Sequence, residues 1–535
     1  MSSDLARKRP NLVNNPEKLV FMDSRLRGND GVGVLPMLTI NSALHWWAKN
    51  RRDVVALSLG GDEVTYGAWA GWIERVAAHL EARGVKPGDR INACAANSLD
   101  YCTLALAAMR AGAIIAPLNA RYTAHELDEI VADHGSSLIV CEPGQWDKFT
   151  GCGVPLIDMA EIGALRTGDA ARPAHDPKPD DCVIIISTSG STAKPKGVMF
   201  SHRTMLAYIT ANAMEDGALR DGGGVIVVAP LATSAGMVQL IHYAVLGCTM
   251  YLEPVFDAQR FLDILVEKKI VSFGGAPAFF ERIAALPTFA DADLSALKVV
   301  TVGGARVTKP LFDAWKARGK FIRQVYGQTE AGGNSTVMPA ALAEAHPEKC
   351  GWGGVFTEHK IIDADGNELP PNTEGQILIR GPAVMLGYWN NPQATAETLR
   401  DGWLHTGDIG TIDELGLITF VDRLKDIIIS GGLNISAAEV ERAVMEFPGI
   451  EECAVIAAKD DRFQETPLAV VYTGGAALDV PALIAHCNAR LADFKVPRYV
   501  AVREEPMPRL ATAKISKPAL RTEYADAHLT LPKVR

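Results

Sequence analysis

Apolar and polar positions along this chain switch repeatedly between two periods. Short Val- and Ile-rich runs bounded by Gly, Pro or Asp read as buried strands, and stretches with apolar residues every three or four positions read as helices packed by one face. From Asn41 a helical pattern runs through Trp46 and Trp47. It is followed by a hairpin-like LSLGGDEVTY at 57–66 and a helix from Ala68 to about Arg83 that stops at Gly84. A Pro-Gly-Asp turn at 87–89 leads into a strand, and the alternation continues with a Leu104–Ala111 helix, a strand at 113–119, a helix from about Thr123 to His134 and a strand at 137–142. Val183–Ile186 reads as a buried strand. Further on, GVIVVAPLATSAG (224–236) precedes a Met237–Leu246 helix and the strand CTMYLE, and FDAQRFLDILVEKKIVSFGGAPAFFERI (256–283) reads as helix, strand and second helix, with Gly274 and Gly275 between the last two. Strands alternating with helices in this way predict a parallel sheet covered on both faces.

The last hundred or so residues change character. Short strands (ECAVIAAKDD, LAVVYTGG, YVAVRE) and two helices (AAEVERAVMEF, VPALIAHCNARL) predict a small α+β unit. At the other end, residues 1–36 are basic and rich in Pro, Asn and Gly, without the apolar run of a secretory signal, and are expected to form a loosely ordered extension before a body that starts at Met37. The fold class is therefore α/β: a large N-terminal body of mixed, mostly parallel sheets covered by helices, with a small mobile α+β C-terminal domain.

Composition narrows the function classes. At 535 residues the chain exceeds the size of one core, so subdivision is expected. Charged residues at 22% and hydrophobic ones at 48% are ordinary for a folded soluble chain, and a net charge of −10 supplies no basic field for nucleic acid. Nine scattered cysteines, never spaced as CxxC, read as reduced core residues of a cytoplasmic protein. The longest uncharged stretch, Val225–Leu252, contains Pro230, Thr233, Ser234, Gln239 and His242, and reads as strand, loop, helix and strand rather than a transmembrane segment. Peripheral membrane contact and a homodimer stay open. Asp363, Asp365 and Asn367 hint at a calcium loop, but the glycine is misplaced for one and Pro370-Pro371 would block the following helix, so an Asp-Gly hairpin turn is expected before the strand QILIR (376–380).

The chemistry-bearing stretch is STSGSTAKPKGV at 187–198. Gly190 and Gly197 let the backbone approach a ligand, Thr188, Ser189, Ser191 and Thr192 offer hydroxyl donors, and Lys194 and Lys196 bring positive charge. That inventory suits a polyphosphate, yet the order of residues is not a Walker A loop, because Lys196 precedes Gly197 and Pro195 stands where a second glycine would be needed. The stretch resembles the signature loop of the adenylate-forming superfamily, which includes acyl-CoA synthetases, luciferases and adenylation domains. Four more stretches extend the resemblance from Met37 to Arg521 in family order: GDRINACAANSLDY with AAMRAGAIIAPLNARYTAHEL, QVYGQTEAGG (324–333), the long DGWLHTGDIGTIDELGLITFVDRLKDIIISGGLNISAAEVE (401–441), and PMPRLATAKISKPALR.

What the resemblance implies can be given residue by residue. Gly304, Ala305 and Arg306 belong to a turn lying against adenine. Tyr326 stacks on the base, within the run Tyr326, Gly327, Gln328 and Thr329, whose threonine donates to phosphate, and Glu330 holds Mg²⁺. Asp408, read as a turn carboxylate, takes the ribose hydroxyls, Arg423 reaches ribose or phosphate, Lys425 is a hinge, and Gly431 and Gly432 let a pantetheine arm pass. Lys514 takes the place of the adenylation lysine, with Lys517 as fallback. The chain then divides into the extension 1–36, an AMP-binding body at 37–422 and a lid at 423–535. Thr233, Ser234, Ala235, Gly236, Gly274, Val325 and Gly332, with Gly304, form an acyl pocket of small walls without fixed charge. Departures from the family pattern fall at Ala193, Thr233, Leu510, Ala513 and Ala437.

The implied activity is an ATP-dependent acid–CoA ligase that uses ATP, Mg²⁺ and coenzyme A on a medium- or long-chain fatty, alicyclic or aromatic acid. Two alternatives stand beside it: an acyl-AMP ligase loading a carrier protein, and a non-catalytic nucleotide-binding relative.

Overall fold

The computed structural model describes residues 38–188, 195–215, 217, 219, 221–430, 433–510 and 514–535, the side chains of Lys425 and Asn434 excepted. The expected extension at 1–36 lies outside them.

Two seven-stranded sheets form the bulk of the body. In one, the strands Arg323–Gln324, Val299–Val302, Ser272–Gly275, Gly224–Val227, Thr249–Leu252 and Val55–Leu59 run parallel, and the hairpin partner Asp62–Thr65 closes the edge antiparallel. In the other, Cys182–Thr188, Ile114–Pro117, Arg90–Cys94, Leu138–Cys141 and Leu156–Asp158 are parallel. The alternation of strand and helix is as expected, with one correction. After the loop at 189–194 the chain returns as an antiparallel strand, Lys196–Ser201, and a third strand, Gly387–Tyr388, pairs on its far side. Helix starts also move. Ser98 caps a helix at Leu99–Arg110, five residues before the sequence reading, and Thr233 caps Ser234–Leu246. A hydroxyl accepting the third amide of the helix outweighs the apolar periodicity that set the expected starts at Leu104 and Met237.

Between the sheets lies a core of fully buried large side chains, among them Trp69, Trp72, Tyr66 and Tyr101. Arg110 enters it too, 1% exposed, because Glu74 pairs with it at 2.7 Å and the carbonyl of His175 accepts from it. All nine cysteines are free and seven are buried. A third, antiparallel sheet joins Glu358–Ile362, Gly375–Arg380, Trp403–Ile412, Leu399–Arg400 and Ile418–Arg423. The turn before its second strand is closed by Asp363, whose carboxylate accepts from the amides of Asp365 and Asn367.

The C-terminal unit is a five-stranded sheet with its own two apolar clusters, centred on Val440, Val455 and Leu483 on one face and on Ile456, Leu468 and Leu520 on the other. Its first helix, Ala437–Met445, begins at Ser436. The buried carboxylate of Asp422, at the end of the preceding sheet, accepts from Ser436 Oγ at 2.8 Å and from the Ala438 amide at 2.9 Å. Among the described residues no helix is long and apolar enough to cross a membrane.

Candidate active site

Asp408 and Arg423 face each other because Trp403–Ile412 and Ile418–Arg423 pair antiparallel in a register that sets one opposite the other. Asp408 is a strand residue, not the turn residue expected, and is only 4% exposed. A carboxylate so buried requires partners: its Oδ2 accepts from the Tyr326 hydroxyl at 2.8 Å, and Oδ1 lies 3.5 Å from Arg423 Nε. Tyr326 is itself in the core, its ring stacked on Phe420 at 5.9 Å between centroids. Burial, then the Asp408 charge, push its phenol well above the ordinary range, so it stays a donor. With the residue 6% exposed, the Tyr326 hydroxyl is held where it orients Asp408.

A second group forms at the open end of the strand Cys182–Thr188. Thr188 pairs with Lys196 and donates from Oγ1 to the Lys196 carbonyl at 3.3 Å, which fixes the base of the signature loop. Ser189, Gly190, Ser191, Thr192 and Lys194 of that loop lie outside the described residues. Gly197 has a packing reason to be glycine: a Cβ there would meet Ile185 at 2.7 Å and Trp389 at 3.2 Å. Tyr388, on the third strand, donates its hydroxyl to Glu330 Oε1 at 2.9 Å, and the Lys196 ammonium stands 4.8 Å from the centre of the same ring. Burial, followed by the Glu330 charge, raises the Tyr388 phenol, which keeps it protonated. Thr329 and Glu330 sit in a short 3₁₀ turn anchored where the Glu330 carbonyl accepts the Met385 amide.

Lys514 comes from the C-terminal unit. Its loop is closed by a bridge between Arg509 and Ile515 and by the Leu510 amide donating to the Lys514 carbonyl at 2.8 Å, so Leu510 is accommodated despite departing from the family pattern. The side chain keeps solvent access while protein crowds it. That burial first, and the Arg423 charge second, pull its ammonium below the ordinary lysine range, opposed by Asp408. Lys514 is therefore within electrostatic reach of both Asp408 and Arg423. Lys517, the fallback, is held elsewhere, 2.8 Å from Glu441 Oε1.

Comparison with known proteins decides the family. The model of the AMP-binding enzyme family matches residues 44–389, and that of the AMP-binding enzyme C-terminal domain matches 439–514. The chain is an adenylate-forming enzyme of the acyl-CoA synthetase branch. Among its relatives, a feruloyl-CoA synthase from an Amycolatopsis species is 36% identical over 93% of this chain and 99% of its own. ATP-bound MatB from Rhodopseudomonas palustris superposes with a TM-score of 0.84 at 28% identity, covering 92% of this chain and 100% of its own. The o-succinylbenzoate CoA synthetase MenE of Bacillus subtilis, in complex with ATP and magnesium ion, gives 0.82 at 25% identity over 90% and 99%.

Other expected members of this adenylate-forming site are distributed as follows. Gly304 turns the chain at φ +80°, which only glycine adopts readily, with open space above it, and Ala305 and Arg306 beside it are exposed. Gln328 reaches the Thr406 carbonyl at 3.5 Å, and Gly327 is pressed against the backbone of Gly333 and Asn334. The glycines assigned to the acyl pocket have packing roles. A Cβ at Gly236 would strike the Pro230 carbonyl, one at Gly274 would meet Thr301 Oγ1 at 2.7 Å, and one at Gly332 would meet the Ala383 carbonyl at 2.6 Å. Gly274 and Gly275 end a strand instead of linking strand to helix. Thr233 caps its helix by accepting the Gly236 amide, with Ser234 and Ala235 in the first turn, and Val325 packs near Gly303. Gly431 and Gly432 lie outside the described residues, as does the side chain of Lys425.

Tyr388 is the member the sequence reading missed. No local pattern marks it; its place is set in the fold, where the backbone of Leu386–Trp389 is hydrogen-bonded to Met199 and Gly197. The donor set fits a hard cation held partly by nucleotide: Glu330 supplies one carboxylate, oriented by the Tyr388 hydroxyl, and among the described residues no group of three or more acidic, His or Cys side chains would cage a metal alone.

Proposed function

We propose that this enzyme is an ATP-dependent acid–CoA ligase. The observation that supports the reading is that Lys514, in the C-terminal unit, lies within electrostatic reach of Asp408 in the body and of Arg423 at the boundary between the two. In the first step an oxygen of the acid attacks the α-phosphorus of ATP, the bond to the β-phosphate bridging oxygen breaks, and pyrophosphate leaves. Little covalent work falls to the protein, so catalysis is positioning and neutralisation of spreading negative charge. Lys514 holds the acid oxygen and the α-phosphate together; Asp408, oriented by Tyr326, accepts the ribose hydroxyls; Arg423 offsets charge beside it. The loop at 189–194, with Lys196 and Thr188, binds the outer phosphates. Glu330 would hold Mg²⁺ together with the nucleotide, and the ion would supply positive charge to the phosphates.

In the second step the thiol of coenzyme A attacks the acyl carbon and AMP leaves. An ammonium parked at the acyl phosphate would obstruct that approach, so residues 423–535 turn about Lys425 as a lid on the body 37–422, and Gly431-Gly432 comes to face the thiol. The acid is a fatty, alicyclic or aromatic carboxylic acid. An aromatic one is supported by the relative named for feruloyl-CoA, which the chain matches over nearly its full length.

A panel of acids incubated with enzyme, Mg²⁺, ATP and coenzyme A tests this. Acid-dependent pyrophosphate release together with AMP and a CoA thioester is the expected result. Pyrophosphate and acyl-AMP without thioester would reassign the acceptor to a carrier protein, and no acid-dependent release would reject a ligase altogether.

A further inference from the structure

Resting on the ligase reading, we propose that Tyr208 is the specificity-determining stop of the acyl pocket, and that the acid taken is a compact ring acid on a short linker, not a long-chain fatty acid. Tyr208 belongs to the helix His202–Glu215 that follows the signature hairpin, and it is 6% exposed. A Cβ built on Gly333 would lie 3.2 Å from its ring and 3.3 Å from its hydroxyl, so phenol and glycine backbone are in contact. The hydroxyl also faces the backbone of Asn334. Gly333 stands three residues after Glu330, which at full extension is no more than about 11 Å of chain. The wall that Tyr208 backs is therefore close to where the acid carboxylate must sit. A Cβ built on Gly303 would lie 3.1 Å from the Val325 side chain and 4.0 Å from Asn334 Oδ1, so these three residues are neighbours.

The stop is braced. His242 meets the Tyr208 ring edge-on at 5.7 Å and stacks on Tyr243 at 5.3 Å, and all three are buried. Beside Tyr208 there is a crevice whose walls are partly apolar, with Ala211, Val337 and Phe356, and partly polar, with Asn212, Ser335 and Thr357; Phe356 is 45% exposed. No charged side chain lines it, and as it stands it has room for about one water molecule. An uncharged crevice beside a bulky, braced ring makes a space that a longer acyl chain would enter only if the ring were shortened.

The test is the chain-length profile of pyrophosphate release, with cinnamate, cyclohexanepropanoate, octanoate, dodecanoate and hexadecanoate as probes. In the wild type, kcat/KM should fall steeply beyond octanoate. In Tyr208→Ala the ratio of dodecanoate to cinnamate should rise roughly 10- to 100-fold, the scale of a few methylenes in an apolar pocket, with KM for ATP unchanged. Tyr208→Phe, which keeps the ring, should retain the wild-type profile. Hexadecanoate used by the wild type as well as cinnamate, or a Tyr208→Ala profile parallel to the wild type, would overturn the stop while leaving the ligase reading intact. The wild-type profile decides the matter if Tyr208→Ala does not fold. Absence of release with every acid would remove the ligase reading and the stop together.

Discussion

The hydroxyl of Tyr388 donates to Glu330 Oε1 across 2.9 Å while the same ring carries the Lys196 ammonium on its face. One side chain thus sets both the carboxylate assigned to Mg²⁺ and a lysine assigned to phosphate. Tyr388→Phe keeps the ring and loses only the hydroxyl. A hydrogen bond to a charged group contributes about 1.5–3 kcal/mol, so the Mg²⁺ concentration for half-maximal adenylation is expected to rise about tenfold, with KM for the acid unmoved. A Mg²⁺ titration of pyrophosphate release checks this; an unchanged midpoint would remove Tyr388 from the site.

Lys514→Ala should slow adenylation about 10²–10³-fold, as for loss of a preorganised charge-stabilising donor. The pH profile gives an independent readout. The ammonium is the working form, and its pKa lies below the ordinary lysine value because of burial and Arg423. Activity is therefore present below that pKa and lost as pH rises through it, earlier than an unperturbed lysine would dictate. In kcat/KM, which reports the free enzyme, Lys514→Arg should move the alkaline limb upward even at reduced rate. ATP–pyrophosphate exchange across pH 7–11 measures it.

Asp422→Ala probes the joint between the two units. Its carboxylate holds Ser436 and the Ala438 amide from across the proposed hinge. Losing it should slow adenylation about tenfold or more while thioester formation from supplied acyl-AMP is unimpaired. Quenched-flow measurement of the two half-reactions separates them, and equal slowing of both would make Asp422 merely structural.

Acid should destabilise the fold before carboxylates titrate. His134, His202 and His242 are buried, His359 is half-buried, and each is held neutral with its pKa lowered to about 4 chiefly by desolvation. The unfolded chain binds their protons below about 6.5, so stability is full above that value and is lost progressively as pH falls toward 4. Tm measured from pH 7.5 to 4.5 should drop steeply below 6.5, and His242→Phe should flatten the slope.

The strand–helix rhythm and the signature motifs were legible in the sequence because both are local: periodicity fixes each element, and the residues of a motif are neighbours. What escaped depends on distant pairing. Asp408 reads as a turn residue within Thr-Gly-Asp, and only its register against Arg423 makes it a strand residue. Tyr388 carries no local signal of function, since its partners Lys196 and Glu330 arrive from other elements. The motif places Lys514 first and Lys517 as fallback, but only the fold shows Lys517 engaged by Glu441. Nor does the sequence show that a Cβ at Gly236, Gly274 or Gly332 would meet a neighbouring carbonyl or the Thr301 hydroxyl.

The joint at Asp422 has a mechanical corollary. Under the proposed two-step cycle, a cap that leaves its first position each time is better secured by a few directional contacts at a helix end than by a broad greasy seam. Directional contacts hold firmly within a few degrees of alignment and then release almost at once, and water can take over the freed carboxylate. Such a fastening would make the departure of the cap abrupt, so that the enzyme spends little time in orientations suited to neither half of its work.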